Sequence, residues 1–357
     1  MIHAVFTGGG TAGHVMPALP IMQRLRHDGH RVTFIGGRSG FEANLVADQV
    51  DAFHGIPAGK LRRYWSWANL RDVFLVLAGC LAALWLLARL RPQIVFSKGG
   101  FVTLPVVFAA WCFRVPVIAH ESDASPGLAN RLAYPMLAAL CTSFERSADE
   151  LGFRGPLVFT GTPVRDALLS GDAAAGRRYL RLRDDRPVLL VTGGSLGADR
   201  LNAVVVDAAA ELTREFQLVH VCGRGKTPPR SAWPKGYTAH EFIGDAWGDV
   251  LASADFVVSR AGANTLFELL TLRIPHLLVP LSARVSRGDQ IQNARYAEAQ
   301  GFSRVLDDDA LTAATLVTAV AEEFQQRGVR QQQLDNFPRA DATGTIVALL
   351  LEHARSG

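Results

Sequence analysis

The chain has 357 residues, 49% hydrophobic and 20% charged, a composition that excludes a disordered polypeptide and suits two domains of ordinary size. Its four cysteines (Cys80, Cys112, Cys141, Cys222) form no Cys-x-x-Cys pair, so neither a disulfide framework nor a zinc site is expected, and a reducing cytosol fits. The net charge of +4 is local: Lys60 to Arg91 holds six basic residues against Asp72 alone, so this is not a generally basic protein and nucleic acid is not an expected partner.

The first element is an apolar strand near 2–7 that stops at Gly8-Gly9-Gly10-Thr11-Ala12-Gly13-His14. Glycines there permit a tight turn with close backbone approach to a ligand. The Gly8-x-Gly10-x-x-Gly13 spacing fits the dinucleotide fingerprint, a weak signal by itself. An NAD enzyme would carry an acid at the end of the next strand, near 31–35, but that strand ends in Gly36-Gly37-Arg38. An NADP site using Arg38 is the remaining form of that reading; a loop holding phosphate or sugar is the other. His14 precedes a helix expected over 17–28. It either caps that helix or faces the ligand as a general base, kept neutral by the positive end of the helix.

Val73 to Ala88 is a 16-residue run without charge or proline, apolar all round if helical. A helix on a sheet needs one apolar stripe, so the outer face asks for a second partner. Three readings follow: a helix pressed into a membrane surface, a fully buried core helix, and a span, for which the run is slightly short. Arginines at both ends and nearby aromatics favour the membrane surface, through Arg62, Arg63, Trp65, Arg71, Phe74, Trp85 and Arg89.

Further strands are expected near 94–97, 116–120 and 157–160, then near 187–192, 217–221, 255–259 and 275–280, alternating with helices. Such alternation implies parallel sheets covered on both faces. His120-Glu121-Ser122-Asp123 lies at a strand's carboxyl end, where open α/β sheets place ligands; it can polarise a hydroxyl or merely cap the next helix. Turn chemistry at Gly161-Thr162-Pro163 marks a boundary, giving domains over 1–163 and 164–340 and a final helix over 341–357 whose docking site the sequence leaves open. A second glycine turn, Gly193-Gly194-Ser195-Leu196-Gly197, opens the second half. Ser97-Lys98-Gly99-Gly100-x-x-Thr103-Leu104 is echoed by Ser259-Arg260-Ala261-Gly262-x-x-Thr265-Leu266. Glu268 and Gln290 stand just inside helices that follow such turns, suited to a ribose diol and to sugar hydroxyls; Arg165 suits a diphosphate.

These motifs, in this order along nearly the whole chain, resemble the glycosyltransferase family 28 enzymes that add N-acetylglucosamine to the lipid-linked peptidoglycan precursor. The resemblance rests on Gly8 to His14, Ser97 to Phe101, His120 to Asp123, Gly161 to Arg165, Gly193 to Ala198, Arg260 to Ala263 with Glu268, and Asp289-Gln290-x-x-Asn293. It implies an α/β fold of two Rossmann-like doubly wound domains facing across a cleft, the GT-B arrangement. It also implies an inverting, metal-independent and cofactor-free transfer from UDP-GlcNAc to the 4-hydroxyl of a lipid-linked MurNAc-pentapeptide diphosphate, at the cytoplasmic face of an anionic membrane.

By the same resemblance, Arg165, Ser195, Ile243, Ala263, Asn264, Thr265, Leu266, Phe267, Glu268 and Gln290 hold the donor, with Thr11, Ala12 and Gly13 near its sugar. Gly9, Gly10, Lys98 and Asn130 meet the acceptor. His14 takes the proton, with Glu121 or Asp123 as the alternative base. Ala12 and Asp123 stand where the family commonly has Gly and Asn. Two other readings use similar features: a non-hydrolysing UDP-GlcNAc 2-epimerase, and a non-catalytic sugar-nucleotide-binding subunit of a membrane complex.

Overall fold

The computed structural model of the chain describes residues 1–38, 40, 42–59, 67–146, 148–182, 184–194, 197–338 and 340–356, without the side chains of 12, 67–71 and 356. The chain divides into two compact units: Met1–Pro163 together with Ala340–Gly357, and Val164–Arg339.

The first unit is built on strands β1 (His3–Thr7), β2 (Arg31–Gly37), β3 (Ala52–Ile56), β4 (Ile94–Ser97), β5 (Val117–Glu121), β6 (Ala139–Thr142) and β7 (Leu157–Phe159). They form one sheet in the order β3-β2-β1-β4-β5-β6-β7, every described pair parallel. The strand order reverses between β1 and β4, the switch point where doubly wound sheets open a crevice beyond their carboxyl ends. Residue alternation sorts the core into two layers. Ala4, Phe6, Phe34, Ile94 and Phe96 face one side, under the Leu19–His27 helix; Val5, Ile35, Val95 and Val117 face the other, under the Trp67–Leu90 and Thr103–Cys112 helices. Both faces are covered, so the strands read as continuous apolar runs; each fully buried Val, Ile or Phe contributes roughly 1.5–3 kcal/mol. The Ala342–Ser356 helix packs on the first layer through Ile346, Val347, Leu350 and Ala354.

The second unit repeats the plan with β8 (Val188–Thr192), β9 (Gln217–Val221), β10 (Tyr237–His240), β11 (Phe256–Ser259), β12 (His276–Leu278) and β13 (Arg304–Val305). Their order is β10-β9-β8-β11-β12-β13, again parallel, with the switch between β8 and β11. Leu189 and Val191 enter one core layer, Val188 and Leu190 the other. Four strands were not expected from sequence: β3, β6, β10 and β13. None carries a long apolar run, and each joins the sheet through its neighbours.

Candidate functional site

In the first unit, the turns after β1 and β4 interlock at the switch point. A Cβ on Gly8 would collide with the His14 carbonyl oxygen; one on Gly100 (φ 92°) would strike the Gly9 carbonyl and lie 3.4 Å from the His14 ring. Glycine is therefore required for the close approach, and His14 rests against the β4 turn. The His14 N–H donates to the Thr11 carbonyl at 3.1 Å, closing a single 3-10 turn over Ala12–His14 that also contains Gly13. The regular helix starts only at Leu19, because Pro17 and Pro20 supply no N–H and break its entry into short turns. The expected action of a helix N-terminus on His14 is thus corrected: no regular helix begins there.

The residues after β4 and β5 form a buried polar cluster. Lys98 is 2% exposed and its ammonium donates to Ser122 Oγ. Burial lowers its pKa to about 8, opposed by the charges of Glu121 and Asp123. His120 donates Nε2–H to the Gly161 carbonyl at 2.9 Å, which leaves Nδ1 unprotonated. Burial first, and the Lys98 charge second, hold its pKa well below the ordinary value. Glu121 is fully engaged: Oε1 accepts the Asp123 N–H at 3.1 Å, and Oε2 accepts the Gly127 N–H at 3.0 Å and Asn130 Nδ2–H at 2.8 Å. Glu121 therefore shapes the 122–127 loop, and Asn130 is buried beneath it beside Gly99. Asp123, half-buried, is the carboxylate of this motif nearer to solvent.

In the second unit, Gly193 and Gly194 follow β8, and the Asp199–Leu212 helix begins after Ala198. Ser195 lies outside the described residues. After β11, Gly262 is the N-cap of the Ala263–Leu272 helix, with no side-chain cap hydrogen bond, and the start of such a helix is of the kind that attracts an anion. Ala263, Leu266 and Phe267 are buried, while Asn264, Thr265 and Glu268 are half-buried on the open side. Trp247 Nε1–H donates to Glu268 Oε2 at 3.4 Å. Burial raises the Glu268 pKa, and the Trp247 hydrogen bond and the Arg165 charge pull it back. Arg165 is the N-cap of a short helix, Asp166–Leu169. Ile243 sends its side chain into the core. Gln290 stands at the start of the Asp289–Ala299 helix, and its Oε1 accepts the Leu281 N–H at 3.0 Å. Arg260, the counterpart of Lys98 in the sequence echo, is buried in an ion pair with Asp308 at 2.8 Å.

On the outer surface of the first unit, the Trp67–Leu90 helix turns Gly79, Ala83, Leu86 and Leu87 inward and leaves Phe74 (64% exposed), Leu77, Leu81 (70%) and Trp85 (61%) outward. The Arg89 guanidinium lies 5.7 Å from the Trp85 ring centroid. Arg62, Arg63 and Trp65 lie outside the described residues, as does the Arg71 side chain. The adjoining Thr103–Cys112 helix and its end add exposed Phe108, Trp111 and Phe113, which sequence reasoning missed because that helix reads as core. Trp247 and Glu42 were missed as well: each acts through contacts far along the chain, and only the glycines around Glu42 hinted at its place. Among the described residues, no three His, Cys, Asp or Glu side chains group as a metal set.

Two doubly wound parallel sheets, each gathering its glycine turns and polar side chains at the carboxyl ends of the switch-point strands, define an α/β enzyme of the nucleotide-binding type. Residues 4–142 match the glycosyltransferase family 28 N-terminal domain, and residues 188–345 match the glycosyltransferase family 28 C-terminal domain. The chain belongs to glycosyltransferase family 28. It is 43% identical over 350 residues to the Legionella pneumophila (strain Paris) UDP-N-acetylglucosamine--N-acetylmuramyl-(pentapeptide) pyrophosphoryl-undecaprenol N-acetylglucosamine transferase, covering 98% of this chain and 96% of that relative. Among solved structures, Acinetobacter baumannii MurG aligns with a TM-score of 0.77 at 23% identity, over 99% of this chain and 100% of that one. Neisseria meningitidis UDP-GlcNAc 2-epimerase, bound to UDP-GlcNAc, aligns at 0.69 with 12% identity, over 100% of both chains. At these identities the two structures speak for the GT-B fold alone.

Proposed function

We propose that this chain transfers N-acetylglucosamine from UDP-GlcNAc to the MurNAc 4-hydroxyl of a lipid-linked MurNAc-pentapeptide diphosphate, with inversion. The observation that carries the reading is the 43% identity spanning 98% of the chain to an enzyme of that name. The acceptor hydroxyl attacks the anomeric carbon, His14 takes its proton, and UDP departs. The unit-two groups suit the donor: Glu268 for the ribose diol, the Gly262–Ala263 helix start and Arg165 for the diphosphate, Gln290 for the sugar. The first-unit turns, with Gly9, Gly10, Lys98 and Asn130 behind them, belong to the acceptor. Lys98 and Asn130 act there as buried supports of the 121–127 loop.

The same reading places the enzyme peripherally on the cytoplasmic membrane face. By length and composition, Asp72–Leu90 is long and apolar enough to cross a membrane. It is, however, the crossover between β3 and β4 of one sheet, with one face in the core, so a surface-lying role fits it better than a span. Its outward Phe74, Leu81 and Trp85, with Arg89 beside them, suit an anionic bilayer.

Purified protein with labelled UDP-GlcNAc and a lipid-diphosphate acceptor tests the assignment. UDP release that requires acceptor is expected. Sugar conversion without acceptor would make it an epimerase, and binding with neither would make it a sugar-nucleotide-binding subunit. His14→Ala is expected to lower kcat by ~10²-fold or more, as loss of a general base does.

A further inference from the structure

Glu42 has no role in the transfer as proposed above. It opens the short Glu42–Val46 helix that follows β2, and it is 2% exposed. Its Oε1 accepts the Gly10 N–H at 2.9 Å, while its Oε2 is buried without a hydrogen-bond partner among the described residues. The carboxylate occupies a slot left by glycines. A Cβ on Gly40 would overlap Oε2, one on Gly9 would collide with Oε1, and one on Gly37 would lie 3.9 Å from Oε2. A buried carboxylate with one oxygen unmatched is unfavourable for folding alone, and such groups gather where a site must be held in one geometry.

What Glu42 holds is the turn that carries His14. Gly10 has φ 89°, a conformation only glycine adopts readily, and nothing in its own chemistry fixes its N–H direction. Glu42 fixes it from below, and the Phe101 ring closes the other side, 2.9 Å from where a Cβ would stand. The Gly9 carbonyl is pressed on Gly100, and the His14 carbonyl on Gly8. Gly10 itself is exposed, so the Glu42 hydrogen bond and the Phe101 ring are what hold it against solvent, and a shift there is carried along the turn that leads to His14.

We propose that Glu42 is a positioning residue for the transfer, clamping the Gly9–Gly10 peptide so that the turn presents His14 to the acceptor hydroxyl. This rests on the glycosyltransferase reading given above. The clamp needs an acceptor oxygen at the length of a glutamyl side chain, not a charge. Glu42→Gln keeps that oxygen, Glu42→Asp withdraws it by one methylene, and Glu42→Ala removes it.

Steady-state kinetics with UDP-GlcNAc and a lipid-diphosphate acceptor, together with hydrogen–deuterium exchange over 5–15, test the proposal. Glu42→Gln is expected to keep kcat within about threefold of wild type. Glu42→Asp and Glu42→Ala are expected to lose about 10- to 100-fold in kcat, with KM for UDP-GlcNAc within about twofold and faster exchange at 8–14. Wild-type kcat in Glu42→Ala, or an equal loss in Glu42→Gln, would overturn the clamp. So would a loss that appears wholly as a higher donor KM. If Glu42→Ala does not fold, the Gln and Asp variants alone decide the matter. Wild-type protein without acceptor-dependent UDP release would instead remove the glycosyltransferase reading, and the exchange measurement would still judge the clamp.

Discussion

Burial sets the behaviour of Lys98 and His120 at the ends of β4 and β5. Lys98 titrates at about 8 in the folded chain, against an ordinary 10.5. Between those values the unfolded chain binds more protons than the folded one, so stability from this group rises with pH across that window and is least favourable below pH 8. Replacing Lys98 with Met abolishes the titration. On going from pH 8 to 10.5, urea unfolding should show wild type gaining ~3 kcal/mol relative to Lys98→Met; a constant difference would mean that the ammonium is solvated. Glu268 gives a kinetic counterpart. Glu268→Gln weakens the acceptor for a ribose diol and should raise KM for UDP-GlcNAc by ~10-fold or more, with a smaller effect on kcat. The position of His120-Glu121-Ser122-Asp123 at a strand end was legible in the sequence. The division of labour within it was not, because Glu121 is claimed by Gly127 and Asn130, which only the folded loop brings back to it.

At the level of elements, the Trp67–Leu90 helix shows how far periodicity reaches. An apolar run on all faces told of two partners, and the structure supplies the inner one, formed by the sheet and the Thr103–Cys112 helix; at Gly79 a Cβ would stand 3.3 Å from Pro105 of that helix and collide with the carbonyl of Pro57, just after β3. The outward face is the surface proposed to meet the bilayer. Phe74→Ser with Trp85→Ser should lower binding to anionic vesicles by at least ~10-fold without lowering thermal stability, since both side chains already face solvent. Adding Trp111→Ser should lower it further, because Trp111 extends the exposed apolar surface onto the neighbouring helix. Vesicle binding unchanged in the double variant would remove the membrane role from this face. The shorter strands escaped notice for a related reason: β3 reads Ala-Phe-His-Gly-Ile and β13 has only Arg304–Val305, so sheet pairing, and not local pattern, makes them strands.

For the whole molecule, the informative element is the last one. The sequence showed two halves with one plan, visible in the twin glycine turns and in the Lys98 and Arg260 echo, but it did not show where the final helix goes. Nothing local can show it: an amphipathic helix carries an apolar stripe without an address. The chain leaves the second unit and returns to the first, where the Ala342–Ser356 helix seats Ile346 and Leu350 against the layer containing Ile21, Met22 and Leu25. Asp341 starts it by accepting the Gly344 N–H at 2.7 Å. The core of the first unit is therefore completed by residues translated after the whole of the second. Leu350→Ala removes a fully buried side chain and should cost ~2–5 kcal/mol. That loss should fall on the first unit: hydrogen exchange should quicken in β1 and the Leu19–His27 helix while β8 and the Asp199–Leu212 helix keep their protection. Uniform loss across both sheets would show that the two units unfold as one cooperative body. Loss confined to the final helix would show that its packing is peripheral to the core it covers.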